Sequence, residues 1–154
     1  MSDHSAEPSP DSESHSAILW TDGAARGNPG PAGIGVMLKT RSGRVIVAEG
    51  RSIGHATNNV AEYRALLLGL EKALERGIRR VEVRADSELL IKQLRNEYRV
   101  KNPGLRPLFE QAAAMIRRFE TVRLTHVRRE HNSEADRLAN EGIDNAKGPG
   151  SDAS

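Results

Sequence analysis

Four acidic residues stand where they can do chemistry together: Asp22, Glu62, Asp86 and Asp136. Asp22 closes a short apolar run, Ala17-Ile18-Leu19-Trp20, which fits a central strand covered on both faces. Asp86 closes an alternating run in which Val81, Val83 and Ala85 make one apolar face. Glu62 falls in the second turn of a long helical pattern, on a flank with Leu66, Gly69 and Ala73, where small residues let a helix lie close to a sheet. Asp136 falls in the first turn of a last helix. If the two strands are parallel neighbours, Asp22 and Asp86 meet at the sheet edge where open α/β sheets carry their sites. Taken singly, each acid has an ordinary use as a turn residue or as a complement to a helix dipole. Brought together, four carboxylates are costly unless a cation sits among them. An all-oxygen ligand set without His or Cys suits Mg²⁺ or Mn²⁺. Two such ions, about 3.5–4 Å apart, clamp the attacking and leaving oxygens of a phosphodiester displacement.

The elements that must position these acids are legible in outline. A Gly/Pro-rich turn, Gly27-Asn28-Pro29-Gly30-Pro31, follows the first strand. Residues 33–39 and 44–51 read as a hairpin around Thr40-Arg41-Ser42-Gly43. Thr57 can cap the long helix, whose apolar stripe is Val60, Tyr63, Leu67, Leu70 and Leu74, and Gly77 can stop it. Residues 87–96 and 105–118 read as helices divided by Asn102-Pro103-Gly104, and 121–127 alternates as a strand. The order βββ-α-β-α-α-β-α implies an α/β fold with a five-stranded mixed sheet and helices on both faces.

Composition narrows the setting. The 154 residues contain no Cys, which excludes a disulfide scaffold, a thiolate metal site and thiol catalysis. No apolar run is long enough to span a bilayer and no signal-peptide pattern is present, so a cytoplasmic monomer away from membranes is expected. The net charge of +2 hides an uneven distribution. Residues 1–16 hold four acids and no Lys or Arg, whereas residues 17–143 sum to +7. Eighteen of the 23 basic residues are Arg, whose planar fork suits phosphate. The expected division is a disordered acidic tail over 1–16, a domain over 17–143 and a disordered tail over 144–154.

Four motifs carry a resemblance that covers the whole of 17–143. Thr21-Asp22-Gly23-Ala24-Ala25-Arg26-Gly27-Asn28-Pro29-Gly30 resembles the opening motif of type 1 ribonucleases H. Thr57-Asn58-Asn59-Val60-Ala61-Glu62 resembles the second, Arg84-Ala85-Asp86-Ser87 the third, and His131-Asn132-Ser133-Glu134-Ala135-Asp136 the fourth. The resemblance implies a ribonuclease-H-like fold. It implies an endonuclease that cuts the RNA strand of RNA–DNA hybrids and leaves 5′-phosphate and 3′-hydroxyl ends. It assigns Asp22, Glu62, Asp86 and Asp136, with Gly23, to two Mg²⁺ ions, for which Mn²⁺ can substitute.

The same resemblance places Asn28 and Asn59 at the RNA strand and Asn58 at the DNA strand, with Ser87 also at the substrate. Thr57 and Asn102 would form a DNA-phosphate pocket, where His55 replaces an arginine seen in some relatives. Asn28, before Pro29, is equally a natural turn residue. Only residues 97–104 stand where long-form relatives carry a basic protrusion, and no separate hybrid-binding domain is expected before the core. The short Arg128-Arg129-Glu130-His131-Asn132 loop looks like the archaeal-type subgroup. There Arg129 is the first candidate to assist product release and His131 the second; both are equally readable as solvated loop charges. The subgroup also opens double-stranded RNA and RNA–DNA junctions as substrates. A non-catalytic hybrid binder and a resolvase or exonuclease of the same fold are the competing classes. The retained acids argue against the first, and the asparagine pair with the Gly-rich loop argues against the second.

Overall fold

A computed structural model describes residues 15–146. Strands β1 (Ser16–Ala25), β2 (Gly30–Thr40) and β3 (Val45–Ala56) form an antiparallel meander. Helix α1 (Asn58–Glu75) follows, then β4 (Arg80–Ala85), α2 (Glu88–Leu94), α3 (Arg106–Ile116), β5 (Thr121–His126) and α4 (Ser133–Ala146). The sheet order is β3-β2-β1-β4-β5, with β4 parallel to both β1 and β5. This is the expected mixed five-stranded sheet.

The start and end of α1 follow from local chemistry. Thr57 Oγ1 accepts from Val60 N at 3.2 Å, satisfying an otherwise unpaired N–H of the first turn. At the other end, Gly77 adopts φ +75°. Its N–H reaches Leu74 O and that of Ile78 reaches Ala73 O, which closes the helix with a Schellman pair. The most buried face of α1 is offset from the expected stripe. Ala61, Ala65, Leu66, Gly69 and Ala73 are buried with Tyr63 and Leu70, while Val60, Leu67 and Leu74 are only partly covered. Proximity to β1 is the reason: a Cβ on Gly69 would lie 2.7 Å from the Leu19 side chain.

Helix α4 covers the other face, against β1, β2 and β3. Gly33, Gly35 and Gly50 let it settle there, since a Cβ on any of them would lie 2.1–2.3 Å from an α4 carbonyl oxygen. The three meander strands run longer than their patterns suggest, whereas β4 and β5 each end one residue sooner than expected. β1 continues past Asp22 because β2 keeps pairing with it, Asp22 opposite Gly35, whereas β4 ends at Ala85. Asp22 therefore sits where the parallel half of the sheet stops, not at the end of its strand.

Described elements extend beyond residues 17–143 at both ends. Ser16 opens β1, and the His15 carbonyl accepts from the N–H groups of Arg79 and Arg80 at 2.8 and 3.0 Å. Residues 144–146 continue α4. The remainder of both expected tails, 1–14 and 147–154, lies outside the described residues. Among the described residues, no helix is long and apolar enough to cross a membrane.

Candidate active site

The register of β1 against β4 brings Asp22 and Asp86 together, since their preceding residues, Thr21 and Ala85, are direct partners. Glu62 arrives from α1. Its carboxylate accepts from the Gly23 N–H at 3.3 Å. One oxygen each from Asp22, Glu62 and Asp86 lie within 4.8 Å of one another. Asp136, from the first turn of α4, lines the same cavity, near enough to raise the Asp22 carboxyl. All four acids line one open cavity of about 500 Å³, with Gly23, Asn58, Asn59, Ser87 and Arg129.

Charge in this cavity is strongly frustrated. Burial, then the Asp86 charge, then the neighbouring Asp136 carboxyl push Asp22 from 3.8 up to about 8. Burial, then the charges of Asp22 and Asp86, likewise raise Glu62 well above the carboxylate range. The Arg129 guanidinium opposes both shifts without cancelling them. Protons gather here because burial disfavours the charged carboxylates and because they repel one another. A hard divalent cation satisfies the same oxygens better, and a donor set without nitrogen or sulfur suits such an ion. The residues present therefore fit a divalent metal centre.

The polar residues around the acids divide clearly. Asn28 Oδ1 accepts from Asn58 N at 3.1 Å, and Asn58 Oδ1 accepts from Ala25 N at 3.0 Å. These two bonds fasten the Gly-rich loop to the start of α1. They use both amide oxygens. Asn59 is exposed and lines the cavity. Ser87 lines it too, but its hydroxyl also caps α2 by accepting from Leu90 N at 3.1 Å.

Arg129 and His131 share one short 3₁₀ turn, yet only Arg129 lines the cavity. Thr57 and Asn102 do not line it. Thr57 caps α1, and Asn102 Oδ1 accepts from Gly104 N at 2.7 Å in its own turn.

One residue emerges that the sequence pattern presents only as a helix opener. Asn132 is 1% exposed and donates from Nδ2 to Thr21 O at 2.9 Å and to Asp86 Oδ2 at 3.2 Å. It ties the loop before α4 to the parallel edge of the sheet and holds the Asp86 carboxylate. An Asn four residues before an Asp at a helix start was the available signal, but its partners lie 46 and 111 residues away.

Comparisons with known proteins bear on the fold and the family. Residues 20–142 match the family described as "Reverse transcriptase-like". The chain is 42% identical over 130 residues to "Bifunctional protein Rv2228c" of Mycobacterium tuberculosis, covering 84% of this chain and 36% of that protein. It thus spans about a third of the length of the mycobacterial relatives it matches. The crystal structure of RNase H1 from the halophilic archaeon Halobacterium salinarum superposes with a TM-score of 0.83 at 42% identity, covering 85% of this chain and 99% of that one. LC11-RNase H1, solved in complex with an RNA/DNA hybrid, superposes with a TM-score of 0.82 at 43% identity, over 86% and 99% of the two chains.

Proposed function

The chain belongs to the ribonuclease H family, and from that premise we propose that it is an endonuclease hydrolysing the RNA strand of RNA–DNA hybrids, leaving 5′-phosphate and 3′-hydroxyl ends. The observation that carries the proposal is the convergence of Asp22, Glu62 and Asp86 within 4.8 Å, beside Asp136. These four acids, with the Gly23 backbone, would hold two Mg²⁺ ions, or Mn²⁺ as a substitute. Such ions supply an activated water and neutralise the leaving 3′ oxygen.

The chain's own residues do the rest. The Gly23 N–H aims Glu62, and Asn132 aims Asp86. Arg129, lining the same cavity, offers a planar fork to the phosphate and assists release of the product. His131 is the second candidate for that release step. Asn28 and Asn59 meet the RNA strand, whose 2′-hydroxyls are both donors and acceptors, and Asn58 meets the DNA strand. Ser87 adds a contact beside Asp86, and Thr57 with Asn102 receives a DNA phosphate. The enzyme acts as a cytoplasmic monomer. In support, large exposed apolar side chains among the described residues are scattered, at Val45, Leu89 and Tyr98.

The test is cleavage of an end-labelled hybrid in Mg²⁺, with single-stranded RNA, double-stranded RNA, duplex DNA and an RNA–DNA junction as parallel substrates. Internal cuts in the hybrid's RNA with 5′-phosphate ends are expected. An intact hybrid would overturn the proposal, and cutting of duplex RNA or the junction would widen the substrate range.

A further inference from the structure

Arg26 begins the loop that carries Asn28, but its side chain leaves that loop and reaches across to α4. Nη1 meets Asp144 Oδ1 at 2.6 Å, and Nη2 meets Asn140 Oδ1 at 3.1 Å. Asn140 then uses its other end: Nδ2 donates to Asp136 O at 3.0 Å and approaches Asp136 Oδ1 at 3.4 Å. Residues 136, 140 and 144 are spaced four apart, so they form one stripe along the helix.

The amide has only one workable orientation. A guanidinium only donates and a carboxylate only accepts, so oxygen must face Arg26 and nitrogen must face Asp136. An acid at position 140 could not donate to Asp136, and a base could not accept from Arg26. The ion pair at the far end is too exposed to matter greatly for stability, with side chains 38% and 60% accessible.

We propose that Asn140 is a positioning residue that holds the Asp136 carboxylate toward the cavity, and that the Arg26 fork holds Asn140 in turn. The loop that reads the RNA strand and the carboxylate from α4 are thereby fastened as one unit. The inference rests on the assignment of Asp136 as a metal ligand.

Manganese titration by calorimetry on the full chain, without nucleic acid, tests it. Asn140→Ala should weaken Mn²⁺ binding by about 10-fold, as loss of an outer partner of a ligand typically does. Arg26→Ala should weaken it in the same direction. The double variant should be no weaker than Asn140→Ala alone, because the two act in series. Arg26→Lys keeps the charge but cannot fork, so it should resemble Arg26→Ala.

Wild-type Mn²⁺ affinity in Asn140→Ala or in Arg26→Lys would overturn the inference while leaving the metal assignment intact. No Mn²⁺ binding by the wild-type chain would overturn both. Hybrid binding in EDTA is the second readout and should not change in Arg26→Ala, because the bonds from Asn58 N to Asn28 Oδ1 and from Ala25 N to Asn58 Oδ1 hold the loop without Arg26. A loss there that is greatest at low salt and fades as salt rises would make Arg26 a direct phosphate contact and overturn the positioning role.

Discussion

The backbone N–H of Gly23 lies 3.3 Å from Oε1 of Glu62, and nothing but the missing side chain of Gly23 allows it. A Cβ there would sit 2.3 Å from the carbonyl carbon of Ala61, inside the first turns of α1. Gly23→Ala should therefore push α1 off the sheet, costing about 2–3 kcal/mol of stability. It should also lower turnover by more than that loss explains, because Glu62 moves with the helix. Urea melts alongside hybrid-cleavage rates check this. Gly43→Ala is the control: with φ +98° and open space around it, it should cost about 1–2 kcal/mol and leave turnover unchanged.

The metal-free protein should lose stability as pH rises. Asp22 binds its proton more tightly when folded, with a value of about 8 against an ordinary 3.8. Between those values the folded state holds more protons than the unfolded one, so the free energy of unfolding falls with increasing pH. Glu62 is shifted in the same direction and adds to the slope. Divalent metal competes with these protons, so its affinity should climb over the same window. Urea midpoints measured in EDTA and in Mg²⁺ from pH 4 to 9 would show it. A stability that rises toward pH 8 in EDTA would contradict the frustrated cluster.

Asp22→Asn should reduce metal-dependent cleavage by about 1,000-fold or more, an order set by loss of several kcal/mol of transition-state stabilisation. It should leave hybrid binding largely intact. The same change removes one buried charge from among three others, so it should raise stability in EDTA at high pH. Melting temperature at pH 8.5 and single-turnover rates distinguish the two effects.

Asn28→Asp separates recognition from loop geometry. The substitution keeps the oxygen that accepts from Asn58 N but loses the amide donor. KM for the hybrid should rise about 10-fold or more, as expected where one recognition hydrogen bond is replaced by a repelling charge near phosphate. The fold should be unaffected. Steady-state kinetics at two salt concentrations check this, since the charge component shrinks with salt.

Asn132→Ala should cost about 1–3 kcal/mol, because it leaves the Thr21 carbonyl and the Asp86 carboxylate without their buried donor. Metal affinity should fall as well, since Asp86 loses its restraint. Calorimetric Mn²⁺ titration together with chemical denaturation would report both losses. An unchanged metal affinity would confine Asn132 to a structural role.

Much of this protein is written locally. Alternation in residues 80–86 and 121–127, the Thr57 cap, the Gly77 stop and the Thr40–Gly43 turn each depend on neighbours a few residues apart. The four acids were visible for the same reason, since Asp22 and Asp86 follow apolar strand patterns and Glu62 and Asp136 fall in the early turns of helix patterns. Convergence was a different matter. Asp22 and Asp86 meet only because β1 and β4 are parallel and in register, and Asn132 holds Asp86 only because α4 folds back over the sheet. The offset face of α1 has the same origin, since hydropathy spacing marks what is apolar but not how near the sheet must come.

The sequence ranked Arg129 ahead of His131 only through the subgroup resemblance, and the link from Arg26 through Asn140 to Asp136 was out of its reach. Residue types and spacing determined which groups were available and which elements would carry them. Packing in three dimensions decided which groups touch, because contacts between residues 39 to 118 positions apart are set by strand register and helix approach rather than by any local preference.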